Sequence, residues 1–559
     1  VSNCYDAAGE RGLAGHRAEA FVPVVPTARV APVGQMNVLR GARGLRWSLS
    51  EQRPWVPVLV CALILPGWLA LTPVAGAQEP TGPQGATGAE PTVVIQRLEV
   101  SPSVILSEEE ISAIRAKYEG RAVTGDELLA IENDFDALYA EKGYLAKALL
   151  PEQTLEDGVL RIQLVEARIG RLLLQGNQWT RDEYILARVG ARQGDLVDLN
   201  RLGSALTFFN RTNDVKLHAH LSPGEEFGTS DVVVLVQEPA RDQWHLVLVP
   251  PLVTEKRWST SVTWRRSSLT GRRDPLSLKV VHGPGTWSGT AEYHVPVTLD
   301  GLRLGLVHHA NWSDVLDKDG TPTPIQRRTD HTTLSLSQPW MLSDTLYSMT
   351  SLELQRREVE LLVAEVPQSR LHGFAVTVGY TLEAHLPYRM WRMHHALRGG
   401  VVHVDGAPEP PEPDPYYRYN FSGETVWPAA PAAYWLVRGA FQYGFEPSMP
   451  DDERFTLGGP STVRGIREAA AADQRGYAVS LEYRHTASHR LEIVGFVDHG
   501  RVWSASPSIP NSPSFTSMGA DIRWRPWPNA LITITLAVPL NKVEPDHREP
   551  VHVSVEFAW

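Results

Sequence analysis

The sequence predicts an all-β transmembrane barrel of about sixteen antiparallel strands, preceded by two small α+β domains. Three observations lead there. Between Val93 and Pro239 one pattern of strands and capped helices occurs twice in tandem. After Pro239 helical spacing stops and apolar residues alternate with polar ones to the chain end. Thirteen of the seventeen tryptophans lie in that second part, as aromatic girdles at two membrane interfaces would require.

Taken in chain order, residues 1–35 read as an upstream extension, because Met36 opens the pattern of an export signal. Arg40, Arg43, Arg46 and Arg53 precede an apolar run from about Trp55 to Leu71, and Ala75-Gly76-Ala77 fits a small-residue cleavage site. Residues 36–77 are therefore expected to be a signal peptide, and 78–92, "QEPTGPQGATGAEPT", a Pro/Gly linker. Cys4 and Cys61, the two cysteines of the chain, both precede that site. The exported part can hold neither a disulfide framework nor a cysteine zinc site.

The first small domain is expected over 93–167. "VVIQRLEV" reads as a strand, and Ser107 with Glu110 and Thr124 with Glu127 as capping boxes of two helices. "YLAKALL" and "GVLRIQLVEA" read as two further strands. The second domain, 168–239, repeats that order. "RIGRLLLQG" is a strand, Thr180 with Glu183 and Asp198 begin helices, and "VKLHAHL" and "DVVVLVQEP" pair as strands.

Residues 240–559 are expected to form the barrel. In "YAVSLEYR" Tyr477, Val479, Leu481 and Tyr483 share an apolar face, and Ala478, Ser480, Glu482 and Arg484 share the other. Such a strand suits hydrocarbon outside and water inside, and a spanning sheet must close because lipid satisfies no open edge. About 320 residues at roughly 20 per strand and loop give around sixteen strands. "WSDVLDKDGTPTPIQRRTD" and "DGAPEPPEPDPYY" read as long external loops.

Charge and motifs exclude other classes. A net charge of −11 without a basic run argues against nucleic-acid binding. No nucleophile elbow, phosphate-binding loop or zincin motif occurs, so neither catalysis nor a cofactor is expected. His218 and His220 share a strand face without a third ligand, and His308-His309 and His394-His395 point to opposite faces, so no metal site is expected.

Two motifs then carry a resemblance. "LGGPSTVRG" at 457–465 and "GFVDHGRVW" at 495–503, with the order signal, two β-α-α-β-β units, barrel, make the chain resemble the outer-membrane transporters of two-partner secretion. These belong to the haemolysin-activator and filamentous-haemagglutinin transporter family. The resemblance covers about 93–559. It implies an outer-membrane barrel preceded by two periplasmic α+β POTRA domains, in a Gram-negative bacterium. The first motif (Leu457, Gly458, Gly459, Val463, Arg464, Gly465) would lie on a loop folded into the lumen after strand eleven. The second (Phe496, Asp498, Gly500) would lie on the inner wall, where Arg464 would meet Asp498. In a wet lumen that pair would be worth about 1 kcal/mol. Val555, Phe557 and Trp559, in an alternating strand ending on an aromatic residue, resemble the C-terminal signal read during barrel insertion.

The function implied is secretion of an unfolded exoprotein, a large β-helical adhesin or cytolysin, through the pore. Outer-membrane lipid and the barrel assembly machinery are the other partners expected, and a monomer is expected. A barrel or autotransporter assembly factor would carry three or five POTRA domains, and a passive porin would need only short periplasmic turns. The family usually has an aromatic residue after the Arg-Gly pair, where this chain has Ile466, and often a plug helix, for which only 78–92 is available.

Overall fold

The structure, a computed structural model, describes residues 92–154, 156–250, 258–316, 322–343, 345–405, 414–446, 449–506 and 512–559. The expected extension, signal peptide and nearly all of the linker lie outside the described residues.

The first unit contains β1 (Val93–Ile95), β2 (Arg97–Val100), α1 (Glu108–Tyr118), β3 (Arg121–Val123), α2 (Gly125–Lys142), β4 (Ala146–Leu149) and β5 (Val159–Glu166). Both capping boxes form, Ser107 with Glu110 and Thr124 with Glu127. "VVIQRLEV" is two strands, because the chain changes partner at Gln96: β1 pairs with β3, and β2 runs parallel to β5. Ile131, Phe135 and Tyr139 of α2 pack on Leu98, Leu160 and Ile162 of the sheet.

The second unit contains β6 (Arg168–Gln175), α3 (Asp182–Val189), α4 (Leu199–Thr212), β7 (Lys216–Pro223) and β8 (Thr229–Gln237), with sheet order β6-β8-β7. Asp198 caps α4 through the Arg201 N–H, at 2.8 Å. Thr180 does not cap α3: Arg181 occupies that position, and no side chain bonds there. The two units share a short ladder in which Leu145 N–H donates to Val197 O and Leu199 N–H to Gly143 O.

Sixteen strands from Asp242–Val249 to Val551–Ala558 close into an antiparallel barrel. The last strand pairs with the first, Val555 opposite Leu248 and Phe557 opposite Leu246. Trp559 and Trp244 exchange backbone hydrogen bonds of 3.0 and 2.8 Å at the seam. Along Arg475–Ser488 the buried positions are Gly476, Ala478, Ser480, Glu482 and Arg484, while Val479, Leu481 and Tyr483 point outward.

The middle strands are much longer than the ten or so residues that cross a bilayer. Pro322–Met341, Leu346–Val363 and Val366–Leu386 have 20, 18 and 21 residues. Much of the stretch read as a long loop at 312–330 is therefore strand. Several outward positions there are polar (Arg328, Asp330, Arg356, Arg370), because beyond the hydrocarbon both faces meet water and alternation fades.

The second unit is mortised into one end of the barrel. Arg273, on the turn between the second and third strands, pairs with Asp214 at 2.8 Å. Arg303 reaches Thr212 O at 2.9 Å and Asn213 at 3.2 Å, and Arg188 reaches Thr298 O at 2.8 Å.

Candidate functional site

The loop after the eleventh strand (Ala433–Gly444) turns at Asp451–Glu453 and enters the barrel as a ribbon, Phe455–Leu457 against Ala471–Asp473. Two glycines are required for its shape. Gly458 has φ +111°, and a Cβ there would lie 2.1 Å from the Arg467 carbonyl oxygen. Gly465 has φ +82°, and a Cβ would meet that of Ala537 on the fifteenth strand at 2.8 Å. Gly459 N–H closes the tip onto Ile466 O at 2.8 Å.

Apolar residues wedge the ribbon in place. Phe455, Leu457, Val463 and Ile466 form one buried cluster with Ala478, Val502, Phe515 and Val543 of the wall and its loops. Leu457 packs over Gly500, where a Cβ would lie 2.4 Å from its Cδ1.

Arg464 lies at the tip, 4% exposed, against Asp498, which is 0% exposed. Its Nε and Nη2 hold the two carboxylate oxygens of Asp498 at 2.8 and 2.7 Å, and its backbone N–H adds a third bond at 3.1 Å. The planar guanidinium matches a carboxylate in this bidentate way. Nη1 reaches Asp521 at 3.0 Å, and Nη2 reaches Ser480 at 2.8 Å and Glu482 at 3.0 Å. The ring of Phe496 stacks beneath, its centroid 3.5 Å from Cζ. Thus Phe496 supplies the aromatic contact near the tip, and Ile466 belongs to the apolar wedge.

Burial corrects the expected energetics. A wet pair would contribute about 1 kcal/mol, whereas removing one member of a buried, hydrogen-bonded pair costs roughly 3–5 kcal/mol, since the other charge is left without compensation. The charges also balance. Arg484 and Arg438 contact Glu482, and Arg523 bridges Asp521 and Glu492, so four arginines face four carboxylates.

Residues 93–167 match the family model described as POTRA domain, ShlB-type, and residues 404–559 the one described as Omp85 superfamily domain. The heme/hemopexin transporter protein HuxB of Haemophilus influenzae is 20% identical over 477 residues, 81% of this chain and 84% of HuxB. The outer membrane transporter CdiB of Escherichia coli is 22% identical over 424 residues, 70% of this chain and 69% of CdiB. The chain is an outer-membrane transporter of the two-partner secretion family. The solved structure of CdiB from Escherichia coli shares its fold, with a TM-score of 0.61 at 17% identity over 86% of this chain and 93% of that one.

In the transporter the barrel sits in the outer membrane and the N-terminal units in the periplasm. The structure brings Leu457, Val463 and Arg464 together with Phe496, Asp498 and Gly500. Val555, Phe557 and Trp559 lie far along the wall at the closing seam. Sequence reasoning places Glu482 and Ser480 on the inner face without linking them to Arg464, and it misses Asp521. Their signal was a polar residue at an inward position, but which neighbour faces which depends on register: Ser480 opposite Asp498, and Val494 opposite Asp521.

A second cluster was not anticipated at all. Glu453, at the root of the loop, is 3% exposed. It accepts from Arg398 Nη2 at 2.9 Å, Arg357 Nη1 at 3.3 Å and Tyr416 Oη at 2.7 Å, and pairs with Arg418. Among the described residues no group of three or more His, Cys, Asp or Glu side chains is arranged to hold a metal ion.

Proposed function

We propose that the transporter takes an unfolded exoprotein from the periplasm and passes it outward through the barrel once the loop bearing Arg464 moves aside. The observation carrying this reading is the loop itself, a separately hydrogen-bonded ribbon wedged inside a closed barrel and pinned there by Arg464. A passive channel gains nothing from such a device.

Capture is assigned to the second unit, read here as a second POTRA domain spanning 168–239. In its sheet β7 pairs with β8 alone, so beyond Leu217, whose N–H and carbonyl are bonded by the Asn210 side chain, the far edge of the strand is open to an added strand. Backbone bonds give affinity and side-chain pockets give selectivity in this mode. The periplasm holds no ATP, so folding of the exoprotein outside supplies the drive. The cargo class is a large secreted adhesin or cytolysin, and the transporter acts as a monomer without a cofactor or catalytic step. Val555, Phe557 and Trp559 serve as the insertion signal read by the barrel assembly machinery.

The test is mass spectrometry of culture supernatant and outer membrane with and without the gene. Loss of one large exoprotein with other barrels unchanged is expected. A broad fall in outer-membrane barrels would replace the reading with an assembly factor, and no change in either fraction would leave a channel.

A further inference from the structure

The loop is held at two places by opposite charges. Its tip brings a cation, Arg464, to an arc of wall carrying Glu482, Asp498 and Asp521 on the twelfth to fourteenth strands. Its root brings an anion, Glu453, to an arc carrying Arg357, Arg398 and Arg418 on the seventh, ninth and tenth strands. The root is gripped by backbone too: Glu453 O accepts from Arg418 Nη1 and Gln442 Nε2, each at 2.8 Å. Asp452 adds a bond to Arg357 at 2.6 Å.

We infer that Glu453 is a second anchor of the inward loop, so that opening must overcome the root as well as the tip and losing either anchor eases it. Three arginines on three separate strands of the wall converge on this single carboxylate. Each has had to leave water, which costs far more than any surface pair returns unless a buried anion is present. That anion is supplied by the loop and not by the wall. With the loop withdrawn, three cations would face one another across the inner surface. The closed position is thereby favoured from the wall side as well as from the tip. The two anchors also fix direction. A loop shifted along the wall would bring Arg464 toward the basic arc, where like charges would oppose it. With one anchor the ribbon can pivot about the remaining one, while with two it cannot. Glu453 is thus a positioning residue for the gate.

The inference rests on the reading that the loop occludes the pore, and the experiment separates the two. The full exported chain is inserted into planar lipid bilayers, and the fraction of time spent in the large-conductance state is recorded. Barrel closure is checked by heat-modifiable mobility on gels. Glu453→Gln is expected to raise that fraction about tenfold, and Arg398→Gln, which leaves the loop sequence untouched and two arginines in place, about twofold to threefold. The neighbouring Asp451→Asn, whose side chain is exposed and among the described residues pairs with Arg454, is expected to match the parent. If Arg464→Gln opens the pore while Glu453→Gln and Arg398→Gln do not, the second anchor is disproved and the gate stands. If Arg464→Gln also leaves conductance unchanged, the occluding loop is wrong and the anchor falls with it. Should Glu453→Gln fail to close a barrel, Arg398→Gln decides alone.

Discussion

The two N-terminal units use one scaffold and one device, yet they sit in the molecule differently. In the first, Glu166 at the end of β5 accepts from the N–H groups of Val104 and Ile105, just before α1, at 3.0 and 3.1 Å. In the second, Glu238 just after β8 accepts from Gln178, Trp179 and Thr180, just before α3, at 3.0, 2.8 and 2.8 Å. Each unit thus ties the entry to its first helix with a carboxylate from its last strand. The helix start itself differs. In the first unit Ser107 and Glu110 complete a reciprocal cap that faces water. In the second the N-cap residue, Arg181, gives its N–H to Gly271 O on a barrel turn at 2.9 Å. Gly271 admits this contact because it carries no side chain: a Cβ would lie 2.7 Å from Arg181 Cγ. The second unit has exchanged a self-contained cap for a joint with the barrel, and the first remains an arm joined through the second.

That difference predicts where damage spreads. Arg273→Ala should have the largest effect. It strands Asp214 in the joint and should loosen the second unit from the barrel by roughly 3 kcal/mol. Hydrogen exchange of the full chain in detergent should show faster exchange over 199–223 with the first unit unchanged, and secretion should fall. Protection retained at 199–223 would mean the other joint contacts carry the load.

Glu238→Gln should come next, destabilising the second unit by roughly 1–3 kcal/mol and weakening the Arg181–Gly271 contact. Glu166→Gln should cost a similar amount but confine its effect to the first unit. Burial pushes the Glu166 and Glu238 carboxyls up, but their hydrogen bonds outweigh it and both end below the usual range. Groups depressed in the folded state stabilise fully above the unfolded value, about 4.3 for glutamate, and lose that contribution as pH falls through the folded value. Both units should therefore open more readily below about pH 4, and each Gln variant should flatten that dependence in its own unit only.

The smallest effects compare the two helix starts. Ser107→Ala should cost about 1 kcal/mol in exchange protection of α1. Thr180→Ala should cost little in α3, because its hydroxyl caps nothing. Equal losses in both helices would restore the symmetry that the sequence pattern suggests.

The strand count, the tandem units and the residues of both motifs were legible in the order of the amino acids. Alternation reports which face of a strand meets lipid, and capping boxes and glycines report local backbone shape, so each is written within a few neighbouring residues. It read the strands poorly where they extend beyond the bilayer, as at 322–330, since a strand wet on both faces loses its period. Pairing across the lumen emerged only once the chain was folded. Arg464 finds Asp521 fifty-seven residues away, and Glu453 finds Arg357 ninety-six residues before it. Those contacts depend on the register of neighbouring strands and on a loop turning inward. A charge at an inward position looks the same in the sequence whether water or a buried partner will meet it.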